Sequence, residues 1–140
     1  MTHARRRVAA AIALVAVVIL GLVVAKGMPA TDITDVMGDA LYAVAVFTGL
    51  VLLWPRGRRS VLGIVAVTWC VGVEFFQLTG LPVALADRFP PAALVLGSGF
   101  DPRDLVVYVL AVATAAAVDA AVGALLLHGG RRRGRVGGRG

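Results

Sequence analysis

Glu74 and Gln77 stand three residues apart in Val71-Gly-Val-Glu-Phe-Phe-Gln-Leu-Thr79, a stretch otherwise apolar enough to lie in a bilayer. On a helix the two share one face. A carboxylate at the centre of a spanning helix costs about 2.5–3.5 kcal/mol, so its presence points to a site. Two more polar pairs have helical spacing: Asp39 with Tyr42, three apart, and Asp104 with Tyr108, four apart. Arg88 is the cation best placed in the chain to pair with these acids. Carboxylates, an amide and phenols gathered at membrane depth can hold a polar head group or carry a proton. Acidic oxygens also suit hard cations, but this spacing specifies no coordination geometry, and no metal or other cofactor is expected. The two histidines, His3 and His128, lie in flanking segments, so no Ser/His/Asp set forms. Gly97-Ser-Gly99 lacks both the lysine and the preceding strand of a phosphate loop. No catalytic residue is assigned, and a non-enzymatic role is expected.

Each of these residues also has a plainer reading. Acids in the first turn of a helix are favoured by its dipole by about 0.3–1 kcal/mol, which alone accounts for Asp39 and Asp104 if they stand there. Tyr42 and Tyr108 fit an interfacial belt. Glu74 has a solvated place at the outer rim as its alternative. Asp101 reads as a helix cap, Asp119 as a local structural hydrogen-bonding group, and Cys70 as a small buried apolar side chain.

Long apolar runs carry these residues. The chain is 59% hydrophobic, above the 45–50% or so of soluble domains, and its mean hydropathy is +0.89. The pattern predicts an all-α membrane protein with four transmembrane helices, at about 8–25, 36–54, 60–79 and 102–127. The first run, as a helix of roughly 27 Å, just crosses the hydrocarbon core. A cleaved signal peptide ending near Val23-Val-Ala25 is its competing reading. Thr34 or Asp35 is expected to cap the second helix. Asp101, Pro102 and Asp104 form a helix start close to a capping box. The alanines of the fourth helix suit close packing. Between the third and fourth helices, residues 80–103 carry Pro82, Pro90, Pro91, Gly97 and Gly99 among apolar residues. That segment is too broken to span and too apolar for a free loop. It predicts a short interfacial helix followed by a re-entrant or membrane-hugging stretch. The domain organisation is therefore a basic N-terminus over 1–7, a helical domain over 8–128 and a disordered Arg/Gly tail over 129–140.

The net charge of +6 invites a nucleic-acid reading, but the distribution argues against one. The basic residues stand in short clusters beside apolar runs, without interleaved aromatics. Three precede the first helix, three separate the second from the third, and five lie in the tail, out of 14 in all. The positive-inside rule then places both termini in the cytoplasm, and every acid but Asp119 on or near the outer face. Arginine outnumbers lysine 13 to 1, a composition that hints at a high-GC bacterial genome. One cysteine excludes an internal disulfide framework.

Three motifs in order carry a family resemblance: Gly38-Asp-Ala-Leu-Tyr-Ala43, Glu74-Phe-Phe-Gln-Leu78, and Leu94-Val-Leu-Gly-Ser-Gly-Phe-Asp-Pro-Arg-Asp-Leu-Val-Val-Tyr108. Together they resemble the bacterial domain of unknown function 2809 family, over about residues 8–127. That family is similar to the VanZ-like membrane proteins in its order of early Asp, Glu-x-x-Gln helix and late Asp. Val83-Ala-Leu-Ala-Asp-Arg88 is a loose counterpart of an Asp-Ala-Leu-Arg-Ala-like stretch usual in the family. The resemblance implies a four-helix protein of the bacterial plasma membrane and no particular activity. The VanZ likeness implies a place in the cell envelope. The function expected is a polytopic protein whose outer-facing pocket, lined by Asp39, Glu74, Gln77, Arg88, Asp104 and Tyr108, binds an envelope lipid, a cell-wall precursor or an antibiotic. A small proton-coupled transporter using Glu74 is the alternative, and a lysis or pore-forming protein a third reading. Membrane lipids and such an envelope ligand are the partners expected.

Overall fold

The computed structural model describes residues 2–97 and 99–136, with side chains as far as Leu125. Four helices are long and apolar enough to cross a membrane: α1 (His3–Gly27), α2 (Asp32–Leu53), α3 (Arg59–Gln77) and the Pro102–Leu125 part of α6 (Pro102–Val136). Between α3 and α6 lie α4 (Leu81–Arg88), a 3-10 turn over Pro90–Ala92, and α5 (Ala93–Leu96). The protein is an all-α membrane protein, with no strand among the described residues.

Several boundaries differ from those expected, each for a local reason. α1 begins at His3, so the arginine cluster is helical, with the Thr2 hydroxyl capping the Arg5 N–H. α2 begins a turn earlier than Val36. Thr31 is its cap, and the Thr31 and Thr34 side chains exchange hydrogen bonds with each other's backbone in a reciprocal capping box. Asp32 and Asp35 therefore occupy the first turn, where the helix dipole favours acids. α3 ends at Gln77 and the chain turns through Gly80, whose φ of 71° suits glycine. α6 continues through Val136, past the expected end near Leu127. The start of the expected disordered tail thus extends the helix, in keeping with arginine's good helix propensity. Residues 137–140 of that tail lie outside the described residues.

The core lies where α2, α3 and α6 meet. Phe47 and Val51 of α2, Leu62, Ala66 and Cys70 of α3, and Tyr108 and Val112 of α6 are buried together. Ala43, Ala66 and Cys70 are fully buried, and their small side chains let the helix backbones approach. Cys70 thus takes the buried apolar role expected of it. Only one face of the alanine-rich α6 serves that packing: Ala111, Ala115 and Ala116 border the core, while Ala113, Ala117, Ala120 and Ala121 are exposed. α1 is the most apolar span, with a mean hydropathy of 3.1, and the least buried. It packs along α2 and turns most of its surface outward.

Arg6 ties α1 into one end of the bundle. Its guanidinium binds both carboxylate oxygens of Asp119 on α6, at 2.8–3.2 Å, and donates to the carbonyls of Pro55 and Gly57 at 2.8 and 2.9 Å. Arg59 of α3 binds the same carboxylate at 2.6 Å and the Asp119 carbonyl at 3.3 Å. Asp119 is therefore the hub of a three-helix ion-pair knot, where a merely local hydrogen bond was expected.

Candidate functional site

At the end opposite the knot, Glu74 is fully buried. The rim position allowed by the sequence is not the one it takes. It sits one turn from the end of α3, on the face that carries Cys70 into the core. A carboxylate in such a place needs hydrogen bonds on both oxygens. One oxygen accepts the Asp101 backbone N–H at 2.6 Å, the other the Tyr108 hydroxyl at 3.2 Å. Tyr108 is only 3% exposed, so it is an interior partner of Glu74 and not a belt residue.

The Asp101 contact explains the geometry of the α6 start. The Asp101 side chain caps the Arg103 N–H at 2.9 Å, and its carbonyl accepts the Asp104 N–H at 3.0 Å. In a capping box the acid three residues on would accept the cap residue's own N–H. Here Glu74 takes that N–H from another helix. Asp104 is left free to face α2, where its carboxyl lies within hydrogen-bonding reach of Asp39. Asp39 stands seven residues beyond the start of α2, roughly 10 Å along the axis, so a first-turn dipole effect does not account for it. Glu74 lies close enough to both aspartates to act on them electrostatically. Two carboxylates in contact repel, and a cationic or hydrogen-donating group between them relieves that repulsion.

Gln77 binds the broken segment down. Its amide nitrogen donates to the Leu96 carbonyl at 2.8 Å, while its buried amide oxygen has no partner. Gly97 follows with a φ of 68°, and a Cβ there would collide with the Gln77 amide. The resulting cavity, of about 590 Å³, is bounded by the start of α2, Gln77, Gly97, Gly99, Phe100, Asp101 and the start of α6. Asp32, Asp35, Asp39, Asp101 and Asp104 line it, with Arg103 as the one lining cation among the described residues. Arg103 pairs with Asp101 at 2.6 Å and holds its carboxyl below the usual aspartate range, with help from the Arg103 backbone N–H. Among the described residues no group of three metal-ligating side chains converges.

The structure thus brings Asp39, Glu74, Gln77, Asp104 and Tyr108 to one place. It does not bring Arg88, which is exposed at the end of α4 and makes no ion pair among the described residues. The chain passes from Pro90 and Pro91 through α5 before it returns to the site, so the residues of this stretch that reach the cavity are Ala93, Gly97, Gly99, Phe100, Asp101 and Arg103. Tyr42 leaves its expected partner Asp39 and accepts the Trp69 indole N–H at 3.0 Å. Asp32 and Asp35 are not among the site residues expected from the sequence, where Asp35 reads only as a possible cap, although an aspartate pair beside a Thr-x-x-Thr start marks a helix mouth. The Asp101 N–H and Leu96 carbonyl are backbone groups and carry no side-chain signal.

A second, apolar crevice of about 430 Å³ adjoins the polar cavity, and Ala25, Gly38, Asp39, Gln77, Ala93 and Gly97 border both. It runs between α1 and α2 under Leu94 and Val95 of α5. No solved structure matches the chain. A family model does match, over residues 28–112, a stretch that contains Asp39, Glu74, Gln77, Asp104 and Tyr108 and leaves out α1 and Asp119. The chain belongs to that family, the one described as protein of unknown function DUF2809.

Proposed function

We propose that the protein binds the polar head of an amphipathic envelope component in the cavity ringed by Asp39, Gln77 and Asp104, with the molecule's apolar chain in the adjoining crevice. The observation that carries this reading is the adjacency of the two spaces: a polar, acid-lined cavity and an apolar crevice lie side by side and share bordering residues, Asp39 and Gln77 among them. The lining acids outnumber Arg103, which favours a head that carries an amine or several hydroxyls. The unpartnered Gln77 oxygen offers such a head one more acceptor. The charge asymmetry supports an outward-facing cavity and cytoplasmic termini. The likeness to VanZ-like proteins in motif order supports a ligand drawn from bacterial envelope lipids, cell-wall precursors or antibiotics.

Proton coupling through Glu74 draws less support. Both its oxygens are engaged, and the interior beyond it, toward Asp119, is the apolar packing of Phe47, Ala66 and Val112. The test is the set of amphiphiles that copurifies with the protein from its native membrane, identified by mass spectrometry. An amine- or hydroxyl-bearing species enriched with the wild type and depleted with Asp39→Asn/Asp104→Asn supports the reading. Identical profiles for the two proteins overturn it.

A further inference from the structure

We infer that the opposite, basic end of the bundle holds a second lipid site, which seats one acyl chain of an anionic phospholipid between α1, α2 and α6 with its phosphate on the surrounding arginines. A crevice of about 330 Å³ lies there, walled by Ala10 and Ala13 of α1, Phe47 of α2, and Ala115 and Val118 of α6, with Asp119 at its margin. Its walls are apolar and its helices span the membrane, so a hydrocarbon chain matches it.

The head group follows from charge. Arg6 donates to the carbonyls of Pro55 and Gly57, which draws the start of α1 against the turn between α2 and α3. Arg5 and Arg7 flank Arg6, and Arg56 and Arg58 flank Gly57. All four are exposed and make no ion pair among the described residues. The carboxylate at the margin does not repel an anion, because Asp119 is already spent on Arg6 and Arg59. A phosphate at this end meets four unpaired guanidiniums, the geometry of a basic inter-helix pocket for anionic lipid. A zwitterionic lipid would bring its own cation into the same field.

Native mass spectrometry of the full chain, with dioleoyl phosphatidylglycerol and dioleoyl phosphatidylcholine as probes, tests this. Retention of phosphatidylglycerol is expected to exceed that of phosphatidylcholine by on the order of tenfold. Arg56→Gln/Arg58→Gln, which touches neither the knot nor the core, is expected to erase the preference. Ala13→Leu, which fills the crevice and keeps every arginine, is expected to lower phosphatidylglycerol retention. Val17→Phe closes the crevice from its other end and serves if Ala13→Leu does not fold. Equal retention of the two lipids overturns the inference. So does a folded, crevice-filled variant with undiminished retention, which would leave a surface patch only. Displacement of the lipid by millimolar inorganic phosphate would show a phosphate site without a chain and would equally overturn it.

Discussion

Two donors hold the Glu74 carboxylate, and each belongs to a different part of α6 or its approach. That pairing predicts a specific non-additivity. Tyr108→Phe removes the hydroxyl and leaves one carboxylate oxygen buried and unsatisfied, at a cost of about 1–3 kcal/mol. In Glu74→Gln, the amide oxygen still accepts from Asp101 and the amide nitrogen donates to the Tyr108 hydroxyl, so the fold is expected to persist. Tyr108→Phe should therefore cost more beside Glu74 than beside the glutamine. A double-mutant cycle of denaturation in mixed micelles reads the difference, and additive costs would show that the pair is uncoupled. A neighbouring residue gives a pH prediction. Arg103 keeps the Asp101 carboxyl below the usual aspartate range. Its stabilising contribution is thus full above about pH 4 and is lost as pH falls through the depressed value. Arg103→Gln is expected to move the Asp101 titration upward, toward the ordinary value, in carboxyl carbon NMR.

At the scale of the elements, the broken stretch from α4 to α5 is held by two links from the last turns of α3: Gln77 to the Leu96 carbonyl and Glu74 to the Asp101 N–H. Gly97 permits the first by its positive φ and its missing side chain. Gly97 lies at φ 68° and ψ −172°, a region held almost only by glycine, so Gly97→Ala is expected to cost about 1–3 kcal/mol from the backbone conformation, and more from the collision with Gln77. The effect should be confined to the approach to α6. Hydrogen exchange ought to quicken over residues 93–101 while the α2, α3 and α6 core keeps its protection, and uniform loosening of the core would contradict the two-link picture. The sequence made this stretch recognisable, because prolines and glycines amid apolar residues exclude both a span and a free loop. It did not show which cation would reach the acids. Arg88 was the natural choice by position along the chain, but the path of the backbone after Pro90 decides what returns to the site. Helix periodicity put Glu74 with Gln77, and Asp104 with Tyr108, on common faces. Periodicity does not relate Asp39 to Asp104, which stand on different helices; only their common depth under the positive-inside topology put them in one expected pocket. The start of α2 was misplaced because its box closes with a second threonine in place of the usual Glu or Gln.

At the scale of the whole molecule, the two ends carry opposite chemistry. One gathers Asp32, Asp35, Asp39, Glu74, Asp101 and Asp104, the other Arg6, Arg59 and their flanking arginines around Asp119. An even number of spans puts the start of α1 and the far end of α6 on one side, and the positive-inside rule favours the proposed cytoplasmic orientation of that basic side. Single cysteines in a Cys70→Ala background test this directly, with a membrane-impermeant thiol reagent added to intact cells. Arg88→Cys, exposed on α4, is expected to react quickly from outside, and Asp104→Cys more slowly from within the half-buried cavity wall. Arg58→Cys should react only after the membrane is opened. Glu74→Cys is the informative position. It is fully buried under Tyr108 and the Asp101 turn, so it should stay unlabelled from both sides unless the α4–α5 stretch lifts. Adding Gly97→Ala, which weakens that stretch without touching the core, should expose position 74 to the outside reagent alone. Labelling of position 74 from the cytoplasmic side would instead mean that a path crosses the Phe47 and Val112 packing, and the balance would pass from a binding pocket to a proton-coupled transporter.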